Sequence, residues 1–417
     1  MLKCCETVKQ RIMTDLKITT VNDFDQNGIF PLRNVRVGGK KVQTPTAATI
    51  PGKLREHEEF HPDSDGVSEL YRTVGGDDLD AAMRDPDGSQ INADLESQFS
   101  SAPDDSLKIT FTKYTETSTL GVAHARYLAD IHAAYSDIIT VPLMPKLVRN
   151  VEDDLTDPSY RSFKKSVVAF LNQVEERHPK APVMGLIPRL GWEFIDDLLG
   201  VYEAHDVTTY AFDFDRCKVT TGTQLAMVEP LMQSIANRGI EEHTLFYAIN
   251  PSPGTRQQAI GARPASDIAS LGLGFDIIGG CHVSPRMPEE AFEEMEAEQG
   301  EDGEPEFRLF DRTDWIYRDV PVSDLSDVFP DETAFDVEGV ATRVHRSPTN
   351  AKYRLQKLVN GEQKALAAKD LRDALASDQA YPQVIEKLGV TDQTQSAYEQ
   401  ARDSFDEERF QSGVGDF

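Results

Sequence analysis

The sequence predicts an α/β fold, a (β/α)8 barrel with acidic insertions and C-terminal helices. Three observations carry this. Residues 181–286 alternate short apolar runs with segments whose apolar residues recur at helical spacing, almost without interruption. The intervening runs, such as V-T-T-Y-A-F-D-F-D (207–215), are rich in β-branched and aromatic residues. The chain has 417 residues, enough for a barrel of ordinary size with an appendage. Regular β-α alternation makes parallel strands, and eight such units close a barrel whose chemistry sits at the strands' C-terminal ends.

The elements follow in order. Residues 1–30 are polar and read as an N-terminal arm. Residues 31–288 form the barrel, opening with V-R-V-G-G-K-K-V-Q-T-P-T-A-A-T-I (35–50), a hairpin around Gly38-Gly39 that leads into the first barrel strand. The acidic Gly/Asp/Ser-rich stretch 55–106 is too long for a plain loop and reads as an insertion over one barrel face. L-K-I-T-F-T-K-Y (107–114) is a strand, and a helix around Ala123 to Ala134 precedes the strand S-D-I-I-T-V-P-L (136–143). A helix at 158–178 leads to the strand A-P-V-M-G-L-I-P (181–188). In the next segment, 192–205, Trp192, Ile195, Leu198, Leu199 and Tyr202 share a helical face. The strand 207–215, the helix 225–235 and the strands 243–251 and 275–282 complete the series. Residues 289–308 are a low-complexity acidic linker, 309–390 a helical part completing the barrel, and 391–417 an acidic tail expected to fray.

The formal net charge is −28, with acidic residues spread along the whole chain while strand and helix spacing is kept. That pattern suggests an acid-coated surface on a normal core, as in proteins adapted to high salt; an acidic protein without that adaptation is the alternative. A negative surface ordinarily argues against nucleic-acid partners, but molar salt shortens the Debye length to about 3 Å, so the charge does not veto one. The four cysteines, Cys4, Cys5, Cys217 and Cys281, include no C-x-x-C pair, which argues against a disulfide framework or a cysteine-rich zinc site. No apolar run approaches 18 residues and the N-terminus has no signal-like apolar region, so a soluble, cytoplasmic protein without a membrane partner is expected.

In such a barrel the polar residues at strand ends are the candidates for chemistry: Arg189, Asp213, Asp215, Asn250 and the segment from Asp276 to Arg286. Asp213 and Asp215 alternate on one strand and so share a face. A rival motif, His57-Glu58-Glu59-Phe60-His61, matches the H-E-x-x-H zinc pattern. Pro62 biases His61 away from helical geometry, and no third ligand follows, so neither metal nor cofactor is expected. Gly272, Gly274, Gly279 and Gly280 do not make a dinucleotide-binding G-x-G-x-x-G.

Several ordered segments resemble the tRNA-guanine transglycosylase superfamily, whose members exchange guanine in nucleic acid for a 7-deazaguanine. V-G-G-K-K-V-Q-T-P-T (37–46) is similar to that family's opening strand, and M-G-L-I-P-R-L-G-W-E-F-I-D-D-L (184–198) to its F-G-I-V-Q-G-G and following helix. T-Y-A-F-D-F-D (209–215) sits where the family has G-Y-A-I-G-G-L. L-F-Y-A-I-N-P (245–251) and the run 262–286 resemble R-Y-L-M-G-V-G-T-P, a helix and G-I-D-M-F-D-C-V-x-P-T-R, and 351–371 resembles the helix after the family's zinc cysteines. The resemblance covers about half the chain. It departs at several points: K-I-T-F-T-K-Y-T-E (108–116) replaces D-S-G-G-F, the zinc ligands are missing with Lys369 near the histidine position, and no aspartate pair lies at 140–146. The absent zinc leans toward the DNA-modifying branch, often viral, in which case the compartment is the host cytoplasm.

The resemblance implies a TIM barrel acting on guanine in DNA or tRNA, with a 7-deazaguanine as the incoming base. Base exchange needs an ionised carboxylate below the sugar and a second acid or base near the departing purine. Asp276 is the nearest carboxylate to the nucleophile position, which Gly279 or Gly280 would fill in another alignment. Asp213 and Asp215 bind the base or act as acid and base, or pair with Arg216 or Lys218, and Glu116 stands in for the missing D-S-G-G-F carboxylate. His282, Arg286, Asn250, Arg189, Gly279 and Gly280 are expected to contact substrate. The missing motifs also fit a non-catalytic subunit of the same fold that binds nucleic acid or partners an active copy, and a homodimer is a further possibility.

Overall fold

In a computed structural model, described for residues 16–21, 30–152, 154–240, 243–283, 304–347, 350–377 and 379–412, the chain is a barrel with an outer layer of helices. A small antiparallel sheet comes first: β1 (Lys17–Thr20), β2 (Arg33–Val37) and β3 (Lys40–Thr44), the last two joined at Gly38-Gly39. The barrel strands are β4 (Thr46–Ala47), β5 (Val67–Val74), β6 (Leu107–Tyr114), β7 (Ile138–Thr140), β8 (Val183–Ile187), β9 (Thr209–Asp213) and β10 (Leu245–Ile249). After the short β11 (Arg263–Pro264), β12 (Ile277–Ile278) is the eighth. Neighbours pair in parallel from β5 through to β10, then β10 with β12 and β12 with β4. A parallel bridge between Thr49 and Ser68 closes the ring, with Thr49 N–H on the Val67 carbonyl at 2.9 Å and Glu69 N–H on the Thr49 carbonyl at 2.8 Å. Covered on both sides, β6 is buried along nearly all its length, as parallel strands require.

The helices between strands are α1 (Gly76–Arg84), α2 (Gln90–Ser101), α3 (Val122–Tyr135), α4 (Pro145–Val148), α5 (Pro158–Arg177), α6 (Trp192–Glu203) and α7 (Gly222–Asn237). Local chemistry sets their starts. Asp157 accepts from the Ser159 and Tyr160 amides while Pro158 takes the first helical position of α5, whose Phe163, Val167, Phe170, Leu171 and Val174 then face the barrel.

Beyond the barrel, β13 (Glu306–Asp311) and β14 (Ile316–Pro321) form a hairpin that also pairs with β11. The helices α8 (Leu325–Val328), α9 (Val337–Arg346), α10 (Asn350–Leu375), α11 (Ala380–Ile385) and α12 (Asp392–Ser412) follow. A second apolar core of Phe60, Phe307, Leu309, Phe335, Val340, Leu355 and Leu358 lies beneath the hairpin and α9–α10.

Four boundaries differ from the sequence expectation. Residues 55–106 are not an insertion: they carry β5, α1 and α2, a full barrel unit, whose Val67, Leu70, Val74, Leu79 and Leu95 are buried while most of its acids are exposed, Glu69 being a buried exception. Residues 309–390 supply no barrel strand, since the ring is complete at Ile278, and they begin with a hairpin. The linker expected at 289–308 ends earlier, because Glu306 already belongs to β13; residues 284–303 lie outside the described part. The segment expected to fray is helical to Ser412, with Ala397, Tyr398 and Ala401 buried. Of the N-terminal arm, 17–20 is the strand β1 and most of the rest lies outside the described residues.

Tyr398 packs edge-on to Phe30 at 5.7 Å between ring centroids, and its hydroxyl is buried without a hydrogen-bond partner among the described residues. An unpaired buried hydroxyl keeps its desolvation cost. Tyr398→Phe is therefore expected to stabilise the protein by about 1 kcal/mol. Urea midpoints check this; a loss of stability would show that the hydroxyl has a partner.

Candidate active site at the barrel mouth

The middle of β5 and the C-terminal ends of β9, β10 and β12 bring together Glu69, Tyr71, Asp213, Asp215, Asn250 and His282. Glu69 and Tyr71 are two apart on β5, so both point into the barrel. The Glu69 carboxylate is fully buried and accepts from the Tyr247 hydroxyl, the His282 Nε2 and the Gly280 amide, the last at 3.1 Å. The His282 ring stacks flat on Tyr71, centroids 3.8 Å apart and planes within 2°. Burial pushes the Tyr71 phenol up to about 12, so it stays a proton donor at neutral pH.

Asn250 ties this cluster to the next. Its Oδ1 accepts the His282 amide at 2.8 Å, and its Nδ2 donates to Asp213 Oδ1 at 2.9 Å; the same Asp213 oxygen accepts the Asp215 amide at 3.0 Å. Burial raises Asp213 from an ordinary 3.8 to about 6, against the lowering effect of those hydrogen bonds. The backbone here is unusual: Asp215, Arg216 and Asn250 have φ of 43°, 62° and 56°, in the left-handed region that costs non-glycine residues energy and that clusters at functional sites. Arg216 holds its turn by donating to the Val283 carbonyl at 2.7 Å. From α10, Lys357 reaches the Cys281 carbonyl at 3.2 Å, and burial depresses its ammonium.

Asp213 and Asp215 also line a pocket of about 610 Å³ between the ends of β7, β8 and β9. Met144, Trp192, Phe194 and Met227 give it an apolar wall; Arg149, Glu152 and Arg189 are its other charged residues. Its size and mixture of apolar wall with few polar groups are those of a small-molecule site.

The other residues expected in the site lie elsewhere. Asp276 precedes β12 and so sits at the opposite, N-terminal end of the barrel. There its carboxylate is buried against the Arg33 guanidinium at 2.6 Å, the Thr44 hydroxyl at 2.9 Å and the Phe246 amide at 2.8 Å. Only Ile277 and Ile278 pair in the last strand, which places Asp276 at its start. Glu116 accepts the Gly76 amide at 2.9 Å and caps the start of α1. Arg286 is outside the described residues.

Gly279 and Gly280 are in the site by close approach. A Cβ on Gly279 would lie 2.4 Å from Glu69 Oε2, and one on Gly280 would lie 2.9 Å from Glu69 Oε1. The Glu69 carboxylate thus fills the space that a side chain from the end of the eighth strand would take. Sequence reasoning passed over Glu69, Tyr71 and Tyr247. The available signal was V-S-E-L-Y-R-T-V (67–74), a strand-like run with a carboxylate in its middle.

The H-E-x-x-H segment forms no zinc helix. His57 is exposed with φ of 68°, and Glu58 is clamped by Arg343 and Arg354. His61, Asp63 and Glu332 bring their ligand atoms within 4.8 Å, but Asp63 is paired with Lys369 at 2.5 Å and Glu332 with Arg312 at 2.6 Å. Among the described residues no helix is long and apolar enough to cross a membrane. No protein-family model matches the chain, and no curated protein matches it.

Proposed function

We propose that this protein is a transglycosylase-type enzyme that exchanges a guanine in DNA or tRNA for a 7-deazaguanine base at the barrel mouth. The observation that carries the reading is the pair Asp213 and Asp215, opening from one strand end onto a pocket with an aromatic and methionine wall. In this reading Asp213, a carboxyl that holds its proton up to about pH 6, donates to the departing purine. Asp215, on the same wall, meets the anomeric carbon as the carboxylate nucleophile. The covalent link to Asp215 replaces the broken C–N bond until the incoming base displaces the carboxylate and returns its proton to Asp213. The pocket admits an extruded base, as chemistry on a nucleic-acid base requires.

The test is nucleoside mass spectrometry on DNA and tRNA, each incubated with the protein and a 7-deazaguanine base in molar salt. A deazaguanosine signal that disappears in Asp215→Ala supports the proposal. No signal in either pool from folded protein overturns it.

A second reading, a binding subunit without catalysis, draws on a specific feature. No side chain projects from Gly279 or Gly280, the nucleophile position in one alignment of the resemblance, and Asp276, the position in the other, is committed to Arg33. Nucleic-acid binding without base exchange favours it.

The raised Asp213 gives a signed expectation. Between about pH 4 and 6 the folded state binds more protons at this site than the unfolded chain, so stability falls as pH rises through that window. Asp213→Asn, which keeps an acceptor for Asn250, is expected to be more stable than the parent at pH 7 by about 1–2 kcal/mol and no different at pH 3. Its base exchange is expected to fall by about 10²–10⁴ and to lose the limb near pH 6. Equal denaturation midpoints at pH 7 would contradict the shifted carboxyl.

A further inference from the structure

The geometry points to an anion subsite in the barrel-mouth pocket, built by Arg149 and Arg189 to take a phosphate of the substrate. Arg149 follows α4 and Arg189 follows β8; both line the pocket, are exposed, and make no ion pair or side-chain hydrogen bond among the described residues. In a chain with 71 acidic and 43 basic residues, two guanidinium groups left without a carboxylate on one pocket are available for an anion from outside. Guanidinium forks match phosphate oxygens in pairs, which fixes both position and orientation.

The backbone adds to this. α6 and α7 start at the pocket, with Gly191, Trp192 and Thr223 in its lining, and neither helix has a side chain capping its first amides. The first turns of two helices, positive at their N-termini, therefore border the same pocket as the arginines.

The pocket's other charges set the ligand's polarity. Asp213 and Asp215 stand on the β9 wall, and Glu152 is the remaining acid. An anion fits the α4–β8 side, and a flat, hydrogen-bonding body fits between Trp192 and the two aspartates. A ligand with an anionic group at one end and such a body at the other is a nucleotide unit. This names the substrate class of the transglycosylase reading and rests on it only for the base; the subsite stands on the arginines alone.

The test is calorimetric titration of the full chain with guanosine, guanosine 5′-monophosphate, inorganic pyrophosphate and a short deoxyguanosine oligonucleotide. The monophosphate is expected to bind roughly tenfold or more tighter than guanosine, with pyrophosphate competing. Arg149→Gln with Arg189→Gln is expected to erase that difference while leaving the denaturation midpoint unchanged, because both side chains are exposed. A stronger oligonucleotide than monophosphate places a backbone phosphodiester in the subsite; the reverse order places a free nucleotide there. Equal binding of guanosine and its monophosphate, a difference that survives in the double variant, or no binding of pyrophosphate and monophosphate at millimolar concentration would overturn the subsite. Base exchange assayed on the same samples separates the two proposals, since exchange without phosphate preference sinks only the subsite, and phosphate preference without exchange sinks only the transglycosylase.

Discussion

Asp276→Asn is expected to destabilise the protein by about 3–5 kcal/mol, because it strips the counter-charge from a buried guanidinium. The side chains of Arg33 and Asp276 are 3% and 0% exposed and meet at 2.6 Å, at the N-terminal end of the barrel. The Thr44 hydroxyl donates to Oδ1 and the Phe246 amide to Oδ2, so asparagine keeps an acceptor for only one of them and loses a hydrogen bond along with the charge. Removing both partners together, as Arg33→Met with Asp276→Leu, is expected to recover most of the stability, since a buried pair replaced by apolar groups is often neutral or better. Urea denaturation of the two variants decides the matter. An unchanged midpoint in Asp276→Asn, combined with lost base exchange, would return Asp276 to the chemistry and remove the structural role given to it above.

The second large effect is at Glu69. Its carboxylate is the shared acceptor of a phenol, an imidazole and a backbone amide inside the barrel. Glu69→Ala leaves all three without that acceptor, and a cost of about 3–5 kcal/mol is expected, with the His282 ring released from its stack on Tyr71. The glycines offer a route back. A Cβ on Gly280 would meet the flexible end of Ile50 at 2.7 Å and Glu69 Oε1 at 2.9 Å, and the second obstacle disappears in Glu69→Ala. Adding Gly280→Asp to Glu69→Ala is therefore expected to return a carboxylate to the same space from the end of the eighth strand and restore about half the lost stability. Gly280→Asp in the parent protein is expected to be destabilising, as two carboxylates would compete for one site. If the double variant is no more stable than Glu69→Ala alone, the space at Gly280 is not equivalent to the one Glu69 fills.

Much of the barrel was legible because its elements announce themselves by period. L-K-I-T-F-T-K-Y and L-F-Y-A-I-N-P read as buried strands, and the Trp192 to Tyr202 spacing as a helix; β6, β10 and α6 lie within a few residues of those limits. The failures share a physical cause, which is that charge in this chain does not mark exposure. β5 was hidden in an acid-rich stretch because one of its inward residues is itself a carboxylate, Glu69. α12 was hidden because acids stand among its buried apolar residues, such as Ala397, Tyr398 and Ala401. Asp276 was placed at the wrong end of its strand because F-D-I-I-G-G-C-H looks like eight strand residues, whereas two pair. At the site, Asp213, Asp215, Asn250 and His282 were visible as polar residues after apolar runs. Their linkage through Asn250 was not, because a left-handed turn on each of two strands brings them together and no local pattern encodes it.

The pairing of β12 with β4 has a consequence for how this chain is made. The Arg33–Asp276 contact beside that seam joins residues 243 positions apart. The first strand must therefore wait through most of synthesis for its second neighbour, and closing so long a loop adds entropy that only the finished ring repays. Until residue 278 has left the ribosome, the nascent sheet has a free edge along β10, an apolar row of open backbone groups. Below molar salt, acidic side chains on the helices already formed repel those of another half-built sheet. The charge that obscures the strands in the sequence thus protects them while the barrel is still open.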